Sequence, residues 1–347
     1  MAITGQTISR SDLRVFAFTR DKVLDDTKDH VFSYSPSLQV IFGQGPGEFG
    51  RSMASAGKQV DTGGHAILFR NRLGTHSGAK AMAGAWDTHN TSPDENVRMG
   101  EANWQHYSHG LVVSDYDKAV NQGPEALASF IADQTESVLY ALADLIGDHL
   151  WSTTSVTPGV NNIDSLISAS SETASIHGLS GATYDNYNSR GVSARGTAGG
   201  SISFTSGSFA TQGIEDMRTA FNNASEGNIM PTHVFCSYTD HERYEGRLQP
   251  QERFAAPAGT GDAAFMRLAF RQVPVIAEPK ATAGRMYFTR IGRDGIHARV
   301  LSPFDFEFAE FKPATDQEAF VSELRWKGNV IIRNRRYGSN KMIGITD

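Results

Sequence analysis

The run from Gly123 to Trp151, GPEALASFIADQTESVLYALADLIGDHLW, constrains the fold of this chain more than any other. Pro124 suits the first position of a helix, where a missing N–H costs nothing. Leu127, Ile131, Val138, Leu142 and Leu145 then fall on one stripe at spacings of three, four and seven. At about 1.5 Å per residue, such a helix is about 40 Å long.

Strand patterns surround it. His65–Leu73 (HAILFRNRL) reads as a strand and His106–Asp115 (HYSHGLVVSD) as its returning partner. Gly74–Glu101 between them, full of Gly, Ser, Asn and Asp and holding Pro93, is expected to be a long hairpin tip. Met1–Val60 is turn-rich, with one short helix expected near Ser11–Phe18. Beyond the long helix, Gly178–Ser208 reads as loop, and Gly213–Asn223 as a helix with Ile214, Met217 and Phe221 inward. Val234–Cys236 reads as a buried strand. Thr239 and Glu242 form a capping box that opens a helix through Leu248. Val273–Ala277 and Met286–Arg290 read as core strands, with Asp294-Gly295 as a hairpin turn between Phe288–Arg293 and Ile296–Leu301. Near the end, Phe304, Phe306 and Phe308 alternate with acidic residues, and Phe320, Ser322, Leu324 and Trp326 alternate with Val321, Glu323, Arg325 and Lys327. Pairing these runs through Lys312–Glu318 sets one aromatic face against another and an acidic row beside a basic one. The fold class is α+β.

Composition narrows the function. The 347 residues leave room for two or three compact domains. A net charge of −6 argues against a dedicated nucleic-acid binder, which carries a basic surplus. Cys236, the one cysteine, forms no internal disulfide, which fits folding in a reducing cytosol. The N-terminus lacks a basic-then-apolar signal pattern, and no apolar run approaches membrane-spanning length.

Motifs that would carry chemistry are weak. Gly45–Gly50 (GPGEFG) matches G-x-G-x-x-G, but Gly57, Gly63 and Gly64 break the helix that a dinucleotide site needs. His106 and His109 have H-x-x-H spacing, yet on a strand they point to opposite faces. Cys236 and His241 invite a nucleophile–base reading, but Cys236 ends an apolar strand where a small buried residue is usual. The sequence therefore offers no catalytic, cofactor or metal residues.

Three segments occur in fixed order: Met230–Phe254 (MPTHVFCSYTDHERYEGRLQPQERF), Ala269–Thr289 (AFRQVPVIAEPKATAGRMYFT), and Phe304–Ile345, ending GNVIIRNRRYGSNKMIGI. In order and spacing they resemble the C-terminal half of tailed-phage major capsid proteins of the Hong Kong 97-type fold. The likeness runs from Ile176 to the C-terminus. It includes the linker IHGLSGATYDNYNSRG, where Tyr184 and Tyr187 stand in place of the tryptophan that relatives often carry. The resemblance implies an N-terminal arm (1–62), an extended hairpin loop (63–117), a peripheral domain with a long spine helix (118–152 and 303–327) and a central axial domain (153–302 and 328–347). It also implies self-association into pentamers and hexamers, and an icosahedral shell enclosing double-stranded DNA without sequence specificity. Portal and scaffold proteins, and in some members a decoration protein, would be partners. The chain would reside in the virion after assembly in the host bacterial cytoplasm, with no membrane. Family members mature by rigid-body rotation, for which Gly110, Gly123 and Gly147 are candidate hinges. An encapsulin-type nanocompartment shell, a tail or neck protein, and a cytosolic α+β enzyme or ligand-binding protein are the alternatives.

The expected intersubunit contacts are Lys80, Trp86, Trp104, Arg333, Arg335 and Arg336. Two tryptophans around one polar loop are suited to anchor in a neighbour's pockets. Arg333, Arg335 and Arg336, with Lys341, form a basic cluster for which an acidic chain supplies partners. Lys80, near the hairpin tip, resembles the loop lysine that is cross-linked in some family members, but no matching Asn and desolvated carboxylate are evident, so no cross-link is expected. Ordering the arm at about 1.5 kcal/mol per residue would cost on the order of 90 kcal/mol. That equals roughly 3,600 Å² of apolar burial at about 25 cal/mol/Å². A standard interface buries about 1,600 Å², so several neighbours are expected to hold the arm and hairpin.

Overall fold

A computed structural model describes residues 35–42, 58–74, 80–82, 84, 86–88, 96–116, 124–167, 175–181, 183–184, 187, 192–193, 197–198, 201–203, 209–252, 268–302, 307–314 and 317–346. The arm helix expected at Ser11–Phe18, the glycine motif Gly45–Gly50 and the hinge candidate Gly123 lie outside these residues.

The expected long helix is present at Pro124–Trp151. Its buried face advances in steps of four, through Val138, Leu142, Ile146 and Leu150. Leu145, expected on the stripe, is exposed, because steps of four turn the buried face by about 40° each and leave Leu145 behind its edge. The helix packs on a sheet whose axis is the fourteen-residue strand Ala319–Ile332. There the expected alternation holds for Ser322, Leu324 and Trp326, which are buried, while Glu323 and Arg325 are exposed. Trp326 meets Phe42 and Tyr107 edge-on, at ring separations of 6.0 and 5.5 Å.

One edge of the long strand carries Gln105–Ser114, antiparallel. Ile296–Leu301, Glu307–Phe308 and Lys312–Pro313 pair with it in turn along the other. Glu307 stands opposite Arg325 and Phe308 opposite Leu324, as the pairing through Lys312–Glu318 anticipates. Two pieces from the segment expected to be an arm also join this core. Lys58–Asp61 adds a parallel strand beside Ala298–Leu301, and the helix Pro36–Phe42 buries Leu38, Ile41 and Phe42.

The second sheet runs Ala269–Phe270, Val273–Ala277, His233–Cys236, Arg285–Thr289, Asn340–Ile343, Ser201–Ser203. Its central strands are buried on both faces, so their alternation sorts residues between two cores. Phe235 and Tyr287 face the spine-helix core, where Trp151 packs edge-on against both at 5.5 and 5.2 Å. Val234, Cys236, Met286 and Phe288 face a second core under the helices Phe209–Ala224 and Tyr238–Glu252.

Four local expectations need correction. Gly178–Ser208, expected to be loop, holds short strands, of which Ser201–Ser203 joins the edge of the second sheet beside Asn340–Ile343. His106–Asp115 is not the partner of His65–Leu73; Ala66–Arg72 pairs with Val97–Asn103. That partner, VRMGEAN, has neither β-branched density nor clean alternation, so its pattern resembles a loop. Asp294-Gly295 does not close a hairpin between neighbouring strands; it carries the chain from one sheet to the other. A β-carbon on Gly295 would lie 2.2 Å from the Arg290 carbonyl oxygen, so only glycine makes this turn. Finally, the helix after Cys236 starts at Tyr238 and is capped by Ser237, whose Oγ accepts from the Asp240 N–H at 3.2 Å, rather than by Thr239 with Glu242.

Candidate assembly surface

The hairpin Ala66–Asn103 is two-faced because strand side chains alternate. Ile67, Phe69 and Ala102 turn inward and pack with Ile331. Leu68, Val97 and Met99 turn outward and are each more than half exposed. Toward the tip, Met82 is exposed and Trp86 is 98% exposed. Lys80 forms an ion pair with Asp87 at 2.7 Å, which ties the tip together. The outward aliphatics were not among the expected contacts; the alternation of AILFRNR holds the signal, but not which face is outward.

Trp104, expected as an anchor in a neighbour, is committed within the chain. It packs on the hairpin core, and its Nε1 donates to the Gly64 carbonyl at 3.0 Å. The basic cluster also divides. Arg335 is buried: its Nε donates to the Leu166 carbonyl at 3.0 Å, and its guanidinium lies over the Tyr187 ring at 5.7 Å. Tyr187, from the linker segment, is thus buried beside Arg335. Arg333 and Arg336 are half-buried, and Arg336 Nε donates to the Tyr337 hydroxyl at 3.2 Å.

These arginines form part of a cleft of about 520 Å³, together with Arg70 and Arg72 of the hairpin and Arg290 of the inter-sheet turn. Leu73, Tyr187 and Ile229 supply apolar wall, and Asp294 is the one carboxylate in the lining. Arg70 and Arg72 lie some 260 positions from the C-terminal arginines, so no local pattern joins them.

A buried ionic centre is built around Asp164. Asp164 accepts from Arg285 at 2.6 Å and Lys341 at 2.9 Å, and the Tyr287 hydroxyl donates to it at 3.0 Å. Burial pushes its carboxyl up, but Lys341 and Arg285 more than offset this and hold it below the usual range. Lys341, expected with the surface basic cluster, is thus part of the interior.

The chemical candidates do not converge. His106 and His109 are both exposed on their strand. Cys236 is buried, and burial first and Asp240 second push its thiol up, away from the nucleophilic thiolate. Among the described residues no group of three or more His, Cys, Asp or Glu is placed to hold a metal ion. No described helix is long and apolar enough to cross a membrane. Gly147 has a packing reason to be glycine: a β-carbon there would lie 3.0 Å from the Lys280 stem, whose ammonium pairs with Asp144 and Asp148.

No family model matches the sequence, and no curated protein does. Solved structures match along nearly the whole chain. The capsid asymmetric unit of cyanophage A-1(L) aligns at TM-score 0.57 and 13% identity, covering 93% of this chain and 96% of that one. A chain of Microbacterium phage Oxtober96 aligns at 0.52 and 10% identity, covering 99% and 100%. One from the satellite phage P4 procapsid, a structure that includes the size determination (Sid) protein, aligns at 0.50 and 9%, covering 97% and 98%. The chain has the Hong Kong 97-type capsid fold.

Proposed function

We propose that this chain is the major capsid protein of a tailed phage. It self-associates into pentamers and hexamers that close into an icosahedral head around double-stranded DNA. The observation that carries the reading is the hairpin. One face is packed on the core, while the other presents Leu68, Val97 and Met99 and leads to Trp86. Exposed apolar surface of this kind marks a protein–protein contact. The capsid fold supports the same conclusion. The role is structural, without catalysis or cofactor, and the shell engages portal and scaffold proteins. Lys80 and Trp86 at the tip are the residues we assign to a neighbouring subunit.

Electron microscopy of the chain expressed alone, and with its neighbouring phage proteins, tests this. Closed shells or capsomer rings are expected. DNA and a portal vertex in the particles separate a phage head from a nanocompartment loaded with cargo protein. A chain that stays monomeric or dimeric even with those partners overturns the proposal.

A further inference from the structure

The lining of the cleft includes Arg70, Arg72, Arg290 and Arg333, besides Arg336 and the buried Arg335, and one acidic residue, Asp294. Those first four arginines against Asp294 leave a local excess of three positive charges in a chain of net charge −6. Among the described residues, no carboxylate forms an ion pair with Arg70, Arg72, Arg290 or Arg333. Like charges gathered in a partly apolar cleft repel unless an opposite charge arrives. The cationic groups are all arginine, whose flat fork matches a carboxylate in two parallel hydrogen bonds.

The opposite charge lies at the far end of the long strand. Asp115, Glu307, Glu310, Glu318 and Glu323 are exposed there, against Lys312 and Arg325. Arg325 pairs with Glu323 and stands opposite Glu307. Asp115 is held next to Glu318 by a backbone bond of 3.0 Å from its N–H to the Glu318 carbonyl. Arg333 directly follows Ile332, whereas the acidic end begins at Ala319, thirteen residues earlier on one strand. At about 3.3 Å per residue Ala319 lies roughly 43 Å from Ile332, and Arg325, which faces Glu307, roughly 23 Å. The cleft of a chain is thus out of reach of its own acidic end.

We infer that the arginine cleft of one copy receives the acidic strand end of a second copy, around Asp115, Glu310 and Glu318. This rests on the assembly reading above. Because the two surfaces differ, the contact is head-to-tail, the kind that closes into rings when the rotation between copies permits.

Charge reversal in the full chain tests the pairing. Arg70, Arg72, Glu310 and Glu318 are all exposed, so R70E/R72E and E310K/E318K are expected to keep the wild-type unfolding midpoint. In sedimentation velocity each pair alone should weaken association at least tenfold, and the quadruple variant should recover it. Wild-type association by R70E/R72E, or no recovery in the quadruple variant, overturns the inference. A labelled 20-base-pair DNA is the second probe. If wild type binds it, R70E/R72E does not, and association is unchanged, the cleft serves nucleic acid and the inference falls. Shells that form regardless of these charges would leave the capsid reading intact while removing this one; a wild-type chain that never associates removes both.

Discussion

Acidification should loosen this chain through two buried histidines. His177 is 8% exposed and His297 1% exposed. His177 accepts the Ile332 N–H at 3.4 Å and meets Phe69 edge-on at 5.3 Å. Its pKa falls to about 4, first through burial and then through Arg335 and His297. His297 also falls to about 4, again mainly by burial, with Arg299 and Arg333 adding to the effect and the Gly295 carbonyl and Asp61 opposing it. Both values lie below the unfolded value near 6.5, so the native state binds fewer protons than the unfolded chain. Their contribution to stability is intact above about pH 6.5 and is lost as the pH falls toward 4. At pH 5.5 each imidazole costs on the order of 1.4 kcal/mol, and the two together about 3, against a typical total of about 5–15. His177→Asn isolates one of them. Asn tolerates the left-handed backbone at this position, where φ is 55°, and the loss of the Nε2 acceptor for Ile332, which the shorter amide does not reach, is a cost common to both pH values. Guanidinium unfolding of the unassembled chain at pH 7.5 and 5.5 should show the wild-type loss cut by about half in H177N. If H177N loses as much as wild type over that interval, His177 is not a source of the acid sensitivity.

Gly328→Ala would place a β-carbon 2.6 Å from the Trp326 ring and 2.8 Å from the Arg299 carbonyl oxygen. Overpacking at that strand should lower stability by about 1–3 kcal/mol in the same denaturation assay. Asp164→Asn leaves the Lys341 ammonium buried without its carboxylate and should cost about 3–5 kcal/mol; an unchanged midpoint would show that this ionic centre is not structural. The native Asp164 contribution, from a carboxyl held below its usual range, persists above about pH 4 and is lost on further acidification. The two tryptophans of the hairpin should separate: Trp86→Ala leaves the unfolding midpoint within about 0.5 kcal/mol but weakens assembly measured by light scattering. Trp104→Ala, which removes indole packing and the bond to Gly64, lowers the midpoint itself.

Elements with a strong period of their own were legible. The spine helix, the alternating strand Ala319–Ile332 and the buried strand His233–Cys236 could be placed from apolar spacing, because burying one face demands that spacing. Strand partnership was not. Periodicity tells a strand which of its faces is apolar, but says nothing of which edge it joins. Apolar spacing alone therefore pairs His106–Asp115 with the wrong neighbour and reads Asp294-Gly295 as a hairpin turn. The proposed assembly surface was legible in part. Trp86 stood out as a large apolar group in a polar loop and is exposed, whereas Trp104, equally conspicuous, found a carbonyl and a core within its own chain.

The sequence by itself determined the class of fold and the order of its parts, since helix and strand periods and three ordered segments are local properties of the chain. Only the tertiary structure decided where charge gathers. Arg70 and Arg72 of the hairpin come to line one cleft with Arg290 and Arg333, far away in sequence. Arg335 and Lys341, drawn from the same basic run, are instead withdrawn into the interior, where Leu166, Tyr187 and Asp164 receive them. Electrostatic energy depends on separation in space and on surrounding dielectric, and neither quantity is written along the chain.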